Sequence, residues 1–208
     1  MRYTVPVGVV LLAVACGESP ASPRAGVPPG LLMTCAPSGV SVSCSATLYA
    51  ASGAEGVDVL WAATWHTEPA GLVTSPAFGT FTPIVPGELT VSASYGYWNT
   101  WPQRFRVDPA VPSRKLRDLR VAVSNVVTGA ALTGAAVSIT SGYKAGQSCV
   151  TAGSLGTCSI VGMLPEEAFQ LTVTAIGYVA FSTSHTVAQT GDSDRLTVRL
   201  TPAGAPGP

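Results

Sequence analysis

Five cysteines, two histidines and one dense run of aromatics are the residues of this chain whose types and spacing bear on chemistry. Four of the cysteines form two pairs of equal spacing, Cys35 with Cys44 and Cys149 with Cys158, each nine positions apart around a glycine-containing segment. In a hairpin closed by a two-residue turn, positions nine apart face each other at a non-hydrogen-bonded site. The Cα atoms there approach to about 4.5 Å, within reach of a disulfide. Gly39-Val40 and Gly153-Ser154 are the expected turn centres, and a leading glycine suits a type II′ turn. Closing so short a loop contributes roughly 2.5 to 3 kcal/mol if the effect is chain entropy. Zinc is the rival reading, but neither pair has CxxC spacing and neither histidine lies near a cysteine, so no metal and no cofactor are expected. Disulfides imply an oxidising compartment and leave Cys16 as the odd thiol.

The histidines make poor catalysts. His66 follows Trp65 directly and is expected to face outward, while His185 lies in a separate region, so one pocket could hold both only at an interface. Runs of the GxSxG, HExxH, P-loop or Rossmann kind are absent. Glu166-Glu167 follows Pro165 and reads as a solvated loop. Asp192 and Asp194 fall short of the roughly six to eight oxygens a calcium site takes. No catalytic residue is assigned, and the chain is read as not an enzyme. The stronger functional candidate is Tyr95-Gly96-Tyr97-Trp98-Asn99-Thr100-Trp101, four aromatics in seven residues at the end of a strand. Tyr97, Trp98 and Trp101 form the candidate ligand surface, because loop aromatics stack on sugar rings and contiguous exposed aromatics mark interaction surfaces. The competing reading is that one or two of these rings cap the open end of a small sandwich.

The elements that must position these residues are strands. Gly 22 and Pro 17 in 208 residues, only 11% charged residues and abundant Val and Thr favour short strands and turns, and no stretch keeps a helical period. Formal net charge is zero, which gives no reason to expect nucleic acid. Six of the eleven Lys and Arg residues, Arg104, Arg106, Arg114, Lys115, Arg117 and Arg120, crowd one Pro-containing joint. They read as solvated strand faces and a linker, or as a basic patch for an anionic polymer. Val57, Val59, Trp61, Ala63 and Trp65 alternate with Asp58, Leu60, Ala62 and Thr64, which predicts one strand with both tryptophans in the core. Leu89, Val91, Ala93 and Tyr95 predict a second, entered through Pro86-Gly87. Residues 108–115 (DPAVPSRK) are expected as a linker, since two prolines disfavour strand pairing.

These segments carry resemblances. Asp58-Val59 through Ala63-Thr64-Trp65, Gly79-Thr80-Phe81-Thr82, and Pro86-Gly87-Glu88-Leu89-Thr90-Val91-Ser92-Ala93 together resemble a bacterial immunoglobulin-like domain of the group-2 kind, over 31–107. Leu119, Val121 and Val123, then Gly134-Ala135-Ala136-Val137, then Leu171-Thr172-Val173-Thr174-Ala175 into Gly177-Tyr178, are similar to the carboxypeptidase regulatory-like family, over 116–202. That resemblance implies a transthyretin-like, seven-stranded sandwich and an accessory module rather than a peptidase. The fold class expected is therefore all-β, two small β-sandwich domains in tandem, with a disordered tail at 203–208.

The N-terminus resembles a bacterial lipoprotein signal peptide, with Arg2, an apolar stretch from Val5 to Ala15, and Leu12-Ala13-Val14-Ala15-Cys16. Eleven apolar residues fall well short of the ~20 needed to span a bilayer, so a cleaved leader over 1–15 is expected. The resemblance implies a diacylglycerol thioether on Cys16. Residues 16–30 would be a flexible tether, and Gly17 stands where Asp marks inner-membrane retention, which favours the outer membrane. The function expected is that of a non-enzymatic, lipid-anchored cell-envelope protein whose modules mediate binding or adhesion to a protein or glycan partner. Two alternatives stand beside it: a carbohydrate-binding surface module, and a structural spacer or assembly subunit. Oligomeric state is left open by the sequence.

Overall fold

The computed structural model describes residues 28–74, 78–189, 191 and 193–204. The leader, Cys16, the tether up to residue 27, Asp192 and the last four residues lie outside this set. All sixteen regular elements among the described residues are strands, arranged as two sandwiches in tandem.

Alternation builds the first unit. β1 (Gly30–Ser38) buries Leu31, Met33 and Cys35, β2 (Ser41–Tyr49) buries Val42, Cys44 and Ala46, and the residues between them face out. The two pair antiparallel, with Ser38 opposite Ser41 and Cys35 opposite Cys44. Gly39 opens the two-residue turn at φ 59°, as the glycine of a type II′ turn must. β3 (Val57–Asp58) and β5 (Thr80–Phe81) extend this sheet from β2. The facing sheet runs β4 (Thr64–Glu68), β6 (Gly87–Tyr95), β8 (Gln103–Asp108), β9 (Val111–Lys115), with β7 (Trp98–Asn99) folded onto the end of β6. Phe81, Leu89, Val91, Phe105 and Val107 fill the space between the sheets, each stabilising the fold by roughly 1.5 to 3 kcal/mol through burial.

Two expectations fail here for identifiable reasons. The run from Val57 to Trp65 is not one strand. After Asp58 the chain turns: Asp58 Oδ1 accepts from Leu60 N at 2.8 Å, and Ala62 N and Ala63 N both donate to Val59 O, at 3.0 and 2.8 Å. That turn carries the chain from one sheet to the other and breaks the period of two. Val59 and Trp65 still face the core, whereas Trp61 is 70% exposed, with its ring centroid 3.8 Å from that of Phe78. Nor are residues 108–115 a linker. They form the turn after β8 and the edge strand β9, and Pro112 sits beside a register shift between Arg106 and Asp108, where its missing N–H costs no ladder bond. Buried Ser113 donates its backbone N to Gly39 O at 2.9 Å and its hydroxyl to Val40 O, lacing β9 to the first hairpin. The connection between units shrinks to Leu116, itself buried.

The second unit packs a three-stranded sheet on a four-stranded one. β10 (Arg117–Asn125) lies between β13 (Thr157–Met163), antiparallel, and β16 (Ser193–Leu200), parallel. The other sheet runs β12 (Ser148–Val150), β11 (Ala136–Ile139), β14 (Ala168–Thr174), β15 (Phe181–Thr186). Its core holds Leu119, Val121, Val137, Phe169, Leu171 and Leu200.

The second disulfide departs from the hairpin prediction. Cys149 and Cys158 are bonded, with Cα atoms 5.9 Å apart, but Cys149 pairs across to Val137 in one sheet and Cys158 to Val121 in the other. The bond staples the two sheets. Ala152 and Thr157 exchange backbone bonds of 2.9 and 3.2 Å around a four-residue turn, so Gly153-Ser154 is not its centre. Gly156 sets that geometry: at φ 56°, a Cβ there would stand 2.8 Å from both Val123 O and Leu132 N. At the far end, Ala203 N donates to Gly177 O at 2.8 Å, so the tail expected from 203 onward is tied down at its first residue.

Candidate functional site

The aromatic run is a hairpin tip whose exposure is decided by its neighbours. β6 and β7 pair Tyr95 with Trp98 across a two-residue turn in which Gly96 has φ 57°. Tyr95 packs against the core. Thr100 is buried and pins the segment: its N donates to Ala93 O at 2.9 Å, and its hydroxyl oxygen accepts from Ala93 N at 2.8 Å while donating to Met33 Sδ at 3.7 Å. Two positions past Trp101, Gln103 Nε2 donates to Met33 O at 2.9 Å. With Thr100 and Gln103 taking the inward contacts, Trp101 is left outside at 90% exposure, and Tyr97 in the turn is 99% exposed. Trp98 is 39% exposed, close to Gly30 at the start of β1. One of the four rings caps the sandwich, and two stand in solvent on a tethered loop.

Trp101 also walls a groove of about 390 Å³ at the junction of the two units. Leu32, Gln103, Arg104, Leu116 and Asp118 line it as well. Gln103 Oε1 is buried there without a hydrogen-bond partner.

Arg120 is exposed as a solvated strand face, and Arg104 and Arg114 keep 38% and 40% side-chain exposure, but several of the basic residues at the joint also meet polar groups of the second unit. Arg104 Nη1 lies 3.7 Å from Asp118 Oδ1. Arg106 stands over the Tyr143 ring, 5.4 Å from its centroid. Arg114 donates to Pro165 O and lies 3.8 Å from Glu166 Oε2, while buried Arg117 donates to Gln189 O. Beside them Glu88 Oε1 accepts from Tyr143 OH at 2.7 Å and from Lys144 Nζ at 2.5 Å, and Lys144 is only 9% exposed. Burial pushes the Glu88 carboxyl up, but the bonds from Lys144 and Tyr143 outweigh it and leave its pKa below the ordinary value. Burial and the bond to Glu88 push the Tyr143 phenol up to about 12. Of Glu166 and Glu167, both expected as solvated, Glu166 is solvated at 59% exposure, while Glu167 Oε1 accepts from Tyr143 N at 2.8 Å. Sequence reasoning missed this junction, although the alternation of Arg104 and Arg106 along β8 places both on the outer face that the second unit covers.

The histidines lie in separate units. His66 is exposed on β4, with Nε2 3.1 Å from Ser94 Oγ. His185 Nε2 meets Asp194 Oδ2 at 2.8 Å, and its ring packs edge-on to Phe169 with centroids 5.6 Å apart. Burial raises the Asp194 pKa, but the bonds from His185, Ala188 N and Arg195 N bring it below the ordinary value. The pair joins β15 of one sheet to β16 of the other and acts as a structural tie. Among the described residues no group of three His, Cys, Asp or Glu side chains converges, and no helix is long and apolar enough to cross a membrane.

No protein-family model matches the sequence, and no curated protein matches it. Solved structures similar to the chain include the group B streptococcus pilus 2b backbone protein, at 14% identity and TM-score 0.36. That match covers 61% of this chain and 57%, less than two thirds, of the streptococcal one. A C-terminal fragment of the pilus adhesin SpaC from Lactobacillus rhamnosus GG matches at 9% identity and TM-score 0.34, covering 71% of this chain and 92% of that one. The major pilin subunit of Bacillus cereus matches at 8% identity and TM-score 0.31, covering 84% and 66%.

Proposed function

We propose that this chain is a non-enzymatic, lipid-anchored cell-envelope protein, outer-membrane in a two-membrane cell, whose tandem sandwiches present a binding surface to an envelope or cell-surface partner. The first sandwich is of the bacterial immunoglobulin-like kind and the second of the carboxypeptidase regulatory-like kind. The observation that carries the reading is the exposure of Tyr97 in the tight β6–β7 turn and of Trp101 on the segment tied down by Thr100 and Gln103. Large apolar rings presented from an ordered backbone bind with little cost of ordering the chain, and aromatic residues are common interface anchors. Two disulfides support an exported site of action.

Two experiments test the parts separately. Intact-mass analysis of membrane-extracted protein should give a chain that starts at Cys16 and carries a diacylglycerol, and Cys16→Ser should release it to the soluble fraction. A retained leader or an unmodified Cys16 defeats the anchor. For binding, beads bearing the full chain are tested on surfaces coated with polysaccharides or with matrix proteins. Retention on one class should be lost when Tyr97, Trp98 and Trp101 are all replaced by Ala. Unchanged retention would remove the rim as the contact surface, and the absence of any retention would favour the spacer reading, which the polar lacing of the two units supports.

A further inference from the structure

Resting on the reading of the aromatic rim as a binding surface, we infer that its ligand is a neutral pyranose glycan, seated in the groove beneath Trp101 at the junction of the two units. Two features of the groove select this chemistry. Trp101 offers a flat face with 90% exposure, held from both sides by Thr100 and Gln103, so the C–H face of a sugar ring can stack on it without first ordering the loop. Behind that face stand an adjacent cation and anion, Arg104 and Asp118, 3.7 Å apart. Asp118 takes both Arg104 and the backbone N of Gly162 on Oδ1, which leaves Oδ2 to accept from a hydroxyl while the guanidinium donates to its neighbour. A vicinal diol matches that spacing of acceptor and donor.

Charge decides against the other ligand classes. The groove's charged residues are Arg104, Lys115 and Asp118; Arg104 is paired with Asp118 and Lys115 is itself engaged, so an anionic polymer or lipid headgroup finds no free cation here. An apolar peptide would strand the polar wall without partners. Leu32 and Leu116 add apolar contact at the margin, and the volume of about 390 Å³ lies at the lower end of the roughly 300 to 1,000 Å³ of small-ligand sites. Because Arg104 lies on β8 and Asp118 on β10, the groove exists only while the two units are docked.

The test follows the four tryptophan indole N–H resonances in the full chain carrying Cys16→Ser, titrated with cellohexaose, chitohexaose and mannohexaose. At least one sugar should move the Trp101 signal and leave those of Trp61 and Trp65 in place. Trp101→Ala should weaken that binding by about tenfold or more, Asp118→Asn by about fivefold, and Trp61→Ala not at all, with melting temperatures recorded to exclude misfolding. A sugar that moves Trp98 but not Trp101, or whose binding survives Trp101→Ala, overturns the groove while leaving a glycan at the rim. If no sugar moves Trp101 and rim substitutions still abolish retention on matrix protein, the glycan assignment falls and the binding reading stands. If neither sugars nor protein surfaces respond to the rim, both fall.

Discussion

Trp101 and Phe105 lie four positions apart and have opposite fates, and the difference comes from their neighbours rather than from their own chemistry. Phe105 occupies an inward position of β8 and is fully buried, whereas Trp101 precedes the strand and is displaced outward by the inward contacts of Thr100 and Gln103. Phe105→Ala should therefore cost about 3–5 kcal/mol of stability, while Trp101→Ala should change it by less than about 0.5 kcal/mol, both read from urea unfolding. Equal costs at the two positions would mean that Trp101 is packed. Gly156 gives a second contrast. Its positive φ and the backbone oxygens within 2.9 Å of a Cβ leave no room for a side chain, so Gly156→Ala should destabilise the second unit by more than about 1 kcal/mol. Composition alone does not reveal which of several aromatics is exposed. That depends on strand register, and register at the tip depends on a threonine hydroxyl filling a backbone bond.

At the scale of elements, the two cysteine pairs show why one spacing can mean two structures. Gly39 closes a two-residue turn, and that turn alone sets the register that brings Cys35 opposite Cys44, with Cys44 N pointing away to Gly79 O at 2.8 Å. All of that is local, so it is legible from the residues. The turn between Cys149 and Cys158 is held by Val123 and Leu132, residues distant in sequence, which draw Gly156 inward and part the strands into different sheets. Local spacing does not carry that information. Replacing Cys35 and Cys44 together by Ala should cost roughly 2.5 to 3 kcal/mol, measured by denaturation of the oxidised parent and the variant. The strand alternations of β6, β10 and β14 were readable for the same local reason. The Val57–Trp65 run was not, because the chain had to cross between sheets within it, and β9 was hidden by a proline that an edge strand tolerates.

The whole molecule is two sandwiches, each with its own core, joined at Leu116 and laced by Glu88, Arg104, Arg106 and Arg114 on one side and Asp118, Tyr143, Lys144 and Glu166 on the other. The lacing has two pH limits. Ionised Glu88 is favoured in the folded protein, so its contribution is complete above the ordinary carboxyl pKa of 4.5 and is lost as pH falls below that value. The neutral Tyr143 phenol is favoured, so its contribution is complete below pH 10 and is lost as pH rises through about 12. Glu88→Gln leaves the buried Lys144 ammonium facing a neutral amide and should cost about 1–3 kcal/mol, splitting a single calorimetric transition into two and flattening the acid limb. An unchanged single transition would mean that the junction is held elsewhere. The central claim is that Tyr97 and Trp101 are exposed in order to be covered by a partner. Hydroxyl-radical footprinting of the chain, purified and then in intact cells, addresses it directly. Tyr97 and Trp101 should react readily in the purified protein and be protected in the cell envelope, while Trp61, exposed on its turn, reacts in both settings. Equal reactivity of Tyr97 and Trp101 in the two settings would contradict it.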